Sequence, residues 1–176
     1  MPFNLSKKYP HLLELGHLNE YQRKTSLRGV FERDIEDNPN FKFQSKPIRP
    51  IKKEGQAPME TLLNHLTTRE KKDAKGKPTR ARVFEMDRSQ RLHWIRYHIE
   101  EQQTRNIDIF SYEDRIRGRG DVIRTYIFDQ DEEYVIILEP QRSKLDYYLL
   151  TAYYLNEPGG KKQILKKRKN KLEEVY

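Results

Sequence analysis

A chain of 176 residues with 35% apolar residues, 35% charged residues and a net charge of +8 can form a folded domain with a small core and a heavily charged surface. It has no cysteine, which excludes a disulfide framework and thiolate metal ligation. No stretch approaches about 20 apolar residues, and residues 1–16 lack the apolar run of a signal peptide. The expectation is a cytoplasmic protein with no membrane partner, with export by a dedicated secretion machine left open.

The charge is unevenly spread. Residues 1–57 hold eleven basic and seven acidic side chains, residues 58–159 seventeen and eighteen, and residues 160–176 seven and two. The excess at the two ends favours polyanionic partners, although a solvated basic tail is the plainer reading of a charge run taken alone. Three regions follow: a helical N-terminal extension (1–40), a sheet-bearing domain (41–160) and a basic C-terminal tail (161–176).

In chain order, apolar spacing predicts a helix over residues 8–37, interrupted near Gly16 and Gly29. Asp37-Asn38-Pro39-Asn40 reads as a turn, and Phe41 to Phe43 as a short strand before an extended connector with Pro47 and Pro50. Residues 59–67 form a short amphipathic helix with Leu62, Leu63 and Leu66 inward, and residues 71–78 a solvated loop. Residues 87–103 carry the clearest helical signal: Asp87 is a natural N-cap, Gln90 completes a capping box, and Leu92, Ile95 and Ile99 form one stripe. Arg88, Arg91, Trp94 and His98 fall beside that stripe. Such a group can stack a base and hold a phosphate; it also fits an ordinary amphipathic helix whose arginines surround a core tryptophan.

Strands are expected over residues 107–112, 122–128, 134–139 and 147–155, joined by connections short enough for an antiparallel meander. Register decides which polar residues meet. A two-residue turn at Gln130-Asp131 puts Arg124 and Glu139 on one face; a turn one residue longer brings Thr125 to Glu139 instead. Pairing Glu139 near Tyr147 places Thr151 and Tyr153 on the Glu139 face.

Cleavage of RNA without a metal uses the 2′-hydroxyl as nucleophile. The protein supplies a group that accepts its proton, a group that protonates the leaving 5′-oxygen, and donors for the charge developing on the phosphoryl oxygens. Arg88, Arg91, Arg124, Glu139, His98 and Thr151 are the right residue types for those catalytic tasks. Trp94 and Tyr153 could stack bases, and Lys161, Lys162, Lys166, Lys167, Arg168 and Lys169 could follow a phosphate backbone. Arg124 with Glu139 also reads as a structural cross-strand pair, and Thr151 as a β-former. His65 reads better as a helix-end residue than as a catalyst. The five histidines include no H-x-x-x-H or H-E-x-x-H pattern, the acidic run after Asp129 reads as a turn, and Arg117 to Asp121 lacks the residues of a phosphate loop. No metal or cofactor is expected.

The segments F-x-x-D-R-S-Q-R-L-H-W-I (Phe84 to Ile95), R-T-Y-I (Arg124 to Ile127), E-Y-V-I-I-L-E (Glu133 to Glu139) and Y-Y-L-L-T-A-Y-Y-L (Tyr147 to Leu155) resemble the phage-associated barnase–EndoU–colicin–RelE-like nuclease family. K-P-I-R-P (Lys46 to Pro50) and L-L-N-H-L-T (Leu62 to Thr67) are similar as well. The resemblance spans roughly residues 41–171. It implies an α+β fold in which one or two helices precede a curved antiparallel sheet of about four strands. It also implies metal-independent endoribonuclease activity of a toxin or phage kind, acting on tRNA or another structured RNA. A cognate antitoxin or immunity protein would be its partner. Carried over residue by residue, the family's helix arginines are Arg88 and Arg91, and its strand positions Arg124, Glu139 and Thr151. A non-catalytic RNA-binding module and a phage or host-interaction protein are the competing readings.

Overall fold

Asn19 starts the first long helix. Its Oδ1 accepts the Gln22 N–H at 2.9 Å, while Gln22 Oε1 accepts the Asn19 N–H at 3.0 Å, a reciprocal capping box. The computed structural model describes residues 2–100 and 106–176 and divides into two units, Met1–Asn38 with Lys52–Tyr97 and Pro39–Ile51 with His98–Tyr176. The protein is α+β, with helices and a curled, half-barrel mixed sheet.

The first unit holds α1 (Pro2–Leu5), α2 (Glu20–Phe31), a π turn (Glu32–Glu36), α3 (Pro58–Thr67), a two-stranded hairpin of β3 (Thr68–Lys72) and β4 (Pro78–Phe84), and α4 (Met86–Ser89). α5 (Trp94–Glu100) runs from the first unit into the second. The helix expected over 8–37 forms only from Glu20 onward. Leu13, Leu15 and Leu18 are buried from irregular chain, so their apolar spacing reports burial without a helix. The stretch 71–78 is likewise part of a hairpin and not a plain loop.

The helix expected over 87–103 breaks at residues 90–93. The Gln90 carbonyl accepts the Leu13 N–H at 3.0 Å, and the Trp94 N–H, its normal helical donor, bonds Arg91 O at 2.9 Å. A distant backbone donor has taken the acceptor that an unbroken helix requires. The expected end of this helix, 101–103, lies outside the described residues.

In the second unit six strands run in the order β1-β2-β8-β7-β6-β5. The expected antiparallel meander is present as β5 (Ile107–Ile116), β6 (Gly120–Asp129), β7 (Tyr134–Pro140) and β8 (Tyr147–Tyr154). The sheet exceeds the four strands expected because β1 (Lys42–Phe43) and β2 (Lys46–Arg49) extend it, with β2 parallel to β8. Gln44 and Ser45, at φ 48° and 65°, form the tight link between those two strands.

Residues 160–169 are helical and do not form the start of a loose tail. In α6 (Gly160–Lys169), Ile164 is buried with Phe110, Tyr126, Phe128, Val135, Ile137 and Leu155. Hydrogen bonding then carries the chain to the opposite face of the sheet: Thr125 Oγ1 donates to Tyr176 O at 2.7 Å, and the Tyr176 N–H to Ser111 Oγ at 3.0 Å. Among the described residues no helix is long and apolar enough to cross a membrane.

Candidate functional site

Strand alternation sorts the second unit's polar residues onto two faces. The ladder pairs Asp129 with Tyr134 and Thr125 with Leu138, so one step further Arg124 stands opposite Glu139. The turn between β6 and β7 has four residues where two were expected, an even difference that preserves the face of every side chain. On β5, Tyr112 pairs with Arg124 and Asp114 with Val122, which brings Asp114 to the same face.

On β8, Val135 pairs with Tyr153, Ile137 with Thr151, and Glu139 with Tyr148, across a register shift between Ile137 and Leu138. That bulge accommodates one extra residue. Tyr148 and Thr151, an odd number of positions apart, therefore share the Glu139 face, which strict alternation forbids.

The centre of this face is an ion-pair network. Arg119 grips Glu139 with both ends of its guanidinium, Nη2 to Oε1 at 2.7 Å and Nη1 to Oε2 at 3.1 Å. This contact raises the Arg119 pKa further above its ordinary value. Glu139 is only 6% exposed, whereas the Arg119 side chain is 54% exposed. Arg124 lies between two carboxylates, 4.0 Å from Glu139 Oε2 and 3.8 Å from Asp114 Oδ2. Its Nε is buried and has no hydrogen-bond partner among the described residues. Lys167 of α6 donates to Asp114 and, at 2.8 Å, to the Tyr126 hydroxyl, which itself donates to Asp114. Burial and then Asp114 push the Tyr126 pKa up, so it remains a phenol. Three cations face two carboxylates, leaving a positive excess that an anion can match.

Of the expected residues, Arg124 and Glu139 thus meet, and Thr151 and Tyr153 stand on the same face. Arg119, Asp114 and Tyr148 join them without having been anticipated. The sequence signal for Arg119 was the Arg-Gly-Arg-Gly loop, whose Gly118 and Gly120 adopt φ of 81° and 80° and turn the chain tightly around Arg119. Tyr148 gave no such signal, because a bulge is invisible to alternation.

Two expectations are corrected. His98 is fully buried with its Nε2 2.8 Å from Asp129 Oδ2, and alternation puts Asp129 on the face opposite Arg124. It cannot move a proton at Glu139. Trp94 is 1% exposed, packed edge-on under Tyr9 at 5.1 Å and beside Arg91 at 5.1 Å, so no base can stack on it. The helix break at Gln90 is the reason: the angular positions counted from Asp87 do not continue through it.

Arg88 and Arg91 belong to the first unit. Arg88 Nη1 donates to the carbonyls of His65 and Thr68, each at 2.9 Å, at the C-terminal end of α3, where the helix dipole favours a cation. Arg82 bonds the same carbonyls from β4. Burial first, then these arginines, push the His65 pKa down to about 4. Arg91 Nη1 donates to Asp87 O at 2.8 Å.

Of the basic residues on α6, Lys161 pairs with Glu133 at 2.8 Å, Arg168 with Asp108 at 2.7 Å, and Lys167 with Asp114. Lys162, Lys166 and Lys169 are exposed at spacings of four and three, which aligns them on one helix face, and they have no ion pair among the described residues. No group of three or more His, Cys, Asp or Glu among the described residues is arranged to hold a metal ion. Comparison of the chain with protein-family models, curated proteins and solved structures yields no match.

Proposed function

We propose that this protein is a metal-independent endoribonuclease of the barnase–EndoU–colicin–RelE-like kind, with its site on the α6 face of the six-stranded sheet. The observation that supports it most is Arg124: a buried guanidinium Nε without a hydrogen-bond partner among the described residues, beside a nearly buried glutamate. An unsatisfied buried donor carries an energetic penalty that a bound oxyanion removes.

In this reading the substrate phosphate displaces Glu139 from the exposed fork of Arg119 and takes a second contact from Arg124. The released Glu139 carboxylate accepts the 2′-hydroxyl proton as that oxygen bonds to phosphorus. The phosphorus–O5′ bond breaks, and the Tyr148 phenol, opposite Glu139 in the ladder, protonates the departing oxygen. The products are a 2′,3′-cyclic phosphate and a 5′-hydroxyl end. Thr151 donates to a phosphoryl oxygen, Tyr153 offers a ring to a base, and Lys162, Lys166 and Lys169 attract the strand. Structured RNA such as tRNA as the substrate, a toxin or phage setting, and an antitoxin as partner come from the sequence resemblance.

The test is incubation of the purified protein with total tRNA in EDTA. Cleavage to cyclic-phosphate ends that falls about 100-fold or more in Glu139→Gln supports the reading, because a general base contributes about that much. Tight retention of intact RNA by the wild-type protein would instead identify a binding module.

A further inference from the structure

The near-neutral middle of the chain conceals a strongly charged element. Residues 68–84, the β3–β4 hairpin of the first unit, hold seven basic side chains and two acidic ones. One of those acids, Asp73, closes the tip: its Oδ1 accepts the N–H groups of Lys75 and Lys77, each at 2.9 Å, and its own N–H donates to Lys77 O at 2.8 Å. At the base, Arg69 pairs with Glu85 at 2.8 Å, and Arg82 bonds Thr68 Oγ1 at 2.7 Å. These contacts fix the hairpin to the end of α3. Lys71, Lys75, Lys77 and Arg80 remain exposed, with no ion pair among the described residues.

We infer that this hairpin is an RNA-gripping arm, separate from the proposed cleavage face. No residue of either strand is buried, so the arm contributes nothing to a core, and a two-stranded hairpin has little stability of its own. Its like charges repel one another, and a polyanion laid along it relieves that repulsion. Lys71 on β3 and Arg80 on β4 flank the turn that carries Lys75 and Lys77, so the four exposed cations spread along the hairpin and can meet several phosphates. The hairpin contains no Asn or Gln, the side chains that read adenine edges bidentately, and its exposed cations suit contacts to phosphate. That the polyanion is RNA rests on the proposed cleavage activity; the grip itself does not.

The experiment measures binding of a labelled single-stranded RNA by fluorescence anisotropy between low and moderate salt, in a Glu139→Gln background that leaves the RNA intact. Replacing Lys71, Lys75, Lys77 and Arg80 together by Gln should weaken binding at least about tenfold and reduce the slope of log affinity against log salt by about 3, the loss of four phosphate contacts. If that variant fails to fold, Lys75→Gln with Lys77→Gln at the tip should give about half the slope change. Affinity within about twofold of the parent and an unchanged salt slope overturn the arm. Tighter binding of duplex DNA, with the loss confined to that ligand, overturns RNA as its occupant. Wild-type protein that cuts no RNA while the arm variant still loses binding defeats the cleavage reading alone; cleavage that requires Glu139 alongside undiminished binding by the arm variant defeats the arm alone.

Discussion

Both units contain a pair of converging arginines, and the difference between their acceptors separates scaffold from site. In the first unit Arg82 and Arg88 converge on the carbonyls of His65 and Thr68. Those are main-chain acceptors at the end of a helix, and removing the arginines leaves orphan carbonyls that the fold must satisfy in some other way. In the second unit Arg119 and Arg124 converge on Glu139. A carboxylate on a half-open face is a partner that a phosphate can replace, and Arg119 is exposed enough to make the exchange. Arginine number and proximity are similar in the two places. What differs is whether the acceptor can be exchanged.

Substitutions that treat the two pairs alike should therefore give opposite results. Arg124→Ala should lower RNA cleavage about 100- to 1,000-fold, the scale for loss of an oxyanion donor, while the melting temperature changes little. Arg124→Lys should not restore the activity, because an ammonium on a shorter stem does not reproduce the fixed Nε donor beside Glu139. A fully active Arg124→Lys enzyme would remove that donor from the mechanism. His98→Ala comes next: it leaves the Asp129 carboxylate buried without its imidazole and should cost about 3 kcal/mol of unfolding free energy, read from a urea midpoint. Turnover per folded molecule should stay at the wild-type level, and a selective loss of turnover would return His98 to the reaction.

Arg88→Ala should cost about 0.5–1.5 kcal/mol of stability, the scale of a lost hydrogen bond, because Arg82 still bonds both carbonyls, with cleavage per folded molecule unchanged. A last effect concerns acid. Burial pushes His93 from 6.5 down to about 4, against the opposing pull of the hydrogen bond to His11 O. The unfolded chain therefore binds the extra proton first. The contribution of His93 to stability is complete above pH 6.5, drains as the pH falls towards 4, and is gone below that. Urea midpoints measured at pH 7 and pH 4.5 should differ more in the wild type than in His93→Gln.

Much of the second unit was legible in the sequence because its signals are local. Apolar and aromatic runs with polar punctuation gave four meander strands, and the even length of the β6–β7 turn, read as two residues or as four, puts Arg124 and Glu139 on one face. The first unit was harder. Leu13, Leu15 and Leu18 imitate a helical stripe while lying in irregular chain. The run from Asp87 reads as one helix until Leu13 takes the Gln90 carbonyl.

From the sequence alone came the α+β class, the lack of thiol chemistry, the positive charge and a choice of two registers, one of which puts Arg124 on the Glu139 face. All of these follow from composition or from short periods along the chain. Tertiary structure alone decided that Arg119 holds Glu139, that His98 is sealed against Asp129 on the opposite face, that Trp94 is core, that Arg88 caps a helix, and that a bulge admits Tyr148. Each depends on a partner distant in the chain or on a single register slip, and neither hydrogen-bond partners nor slips leave a periodic trace in the residues themselves.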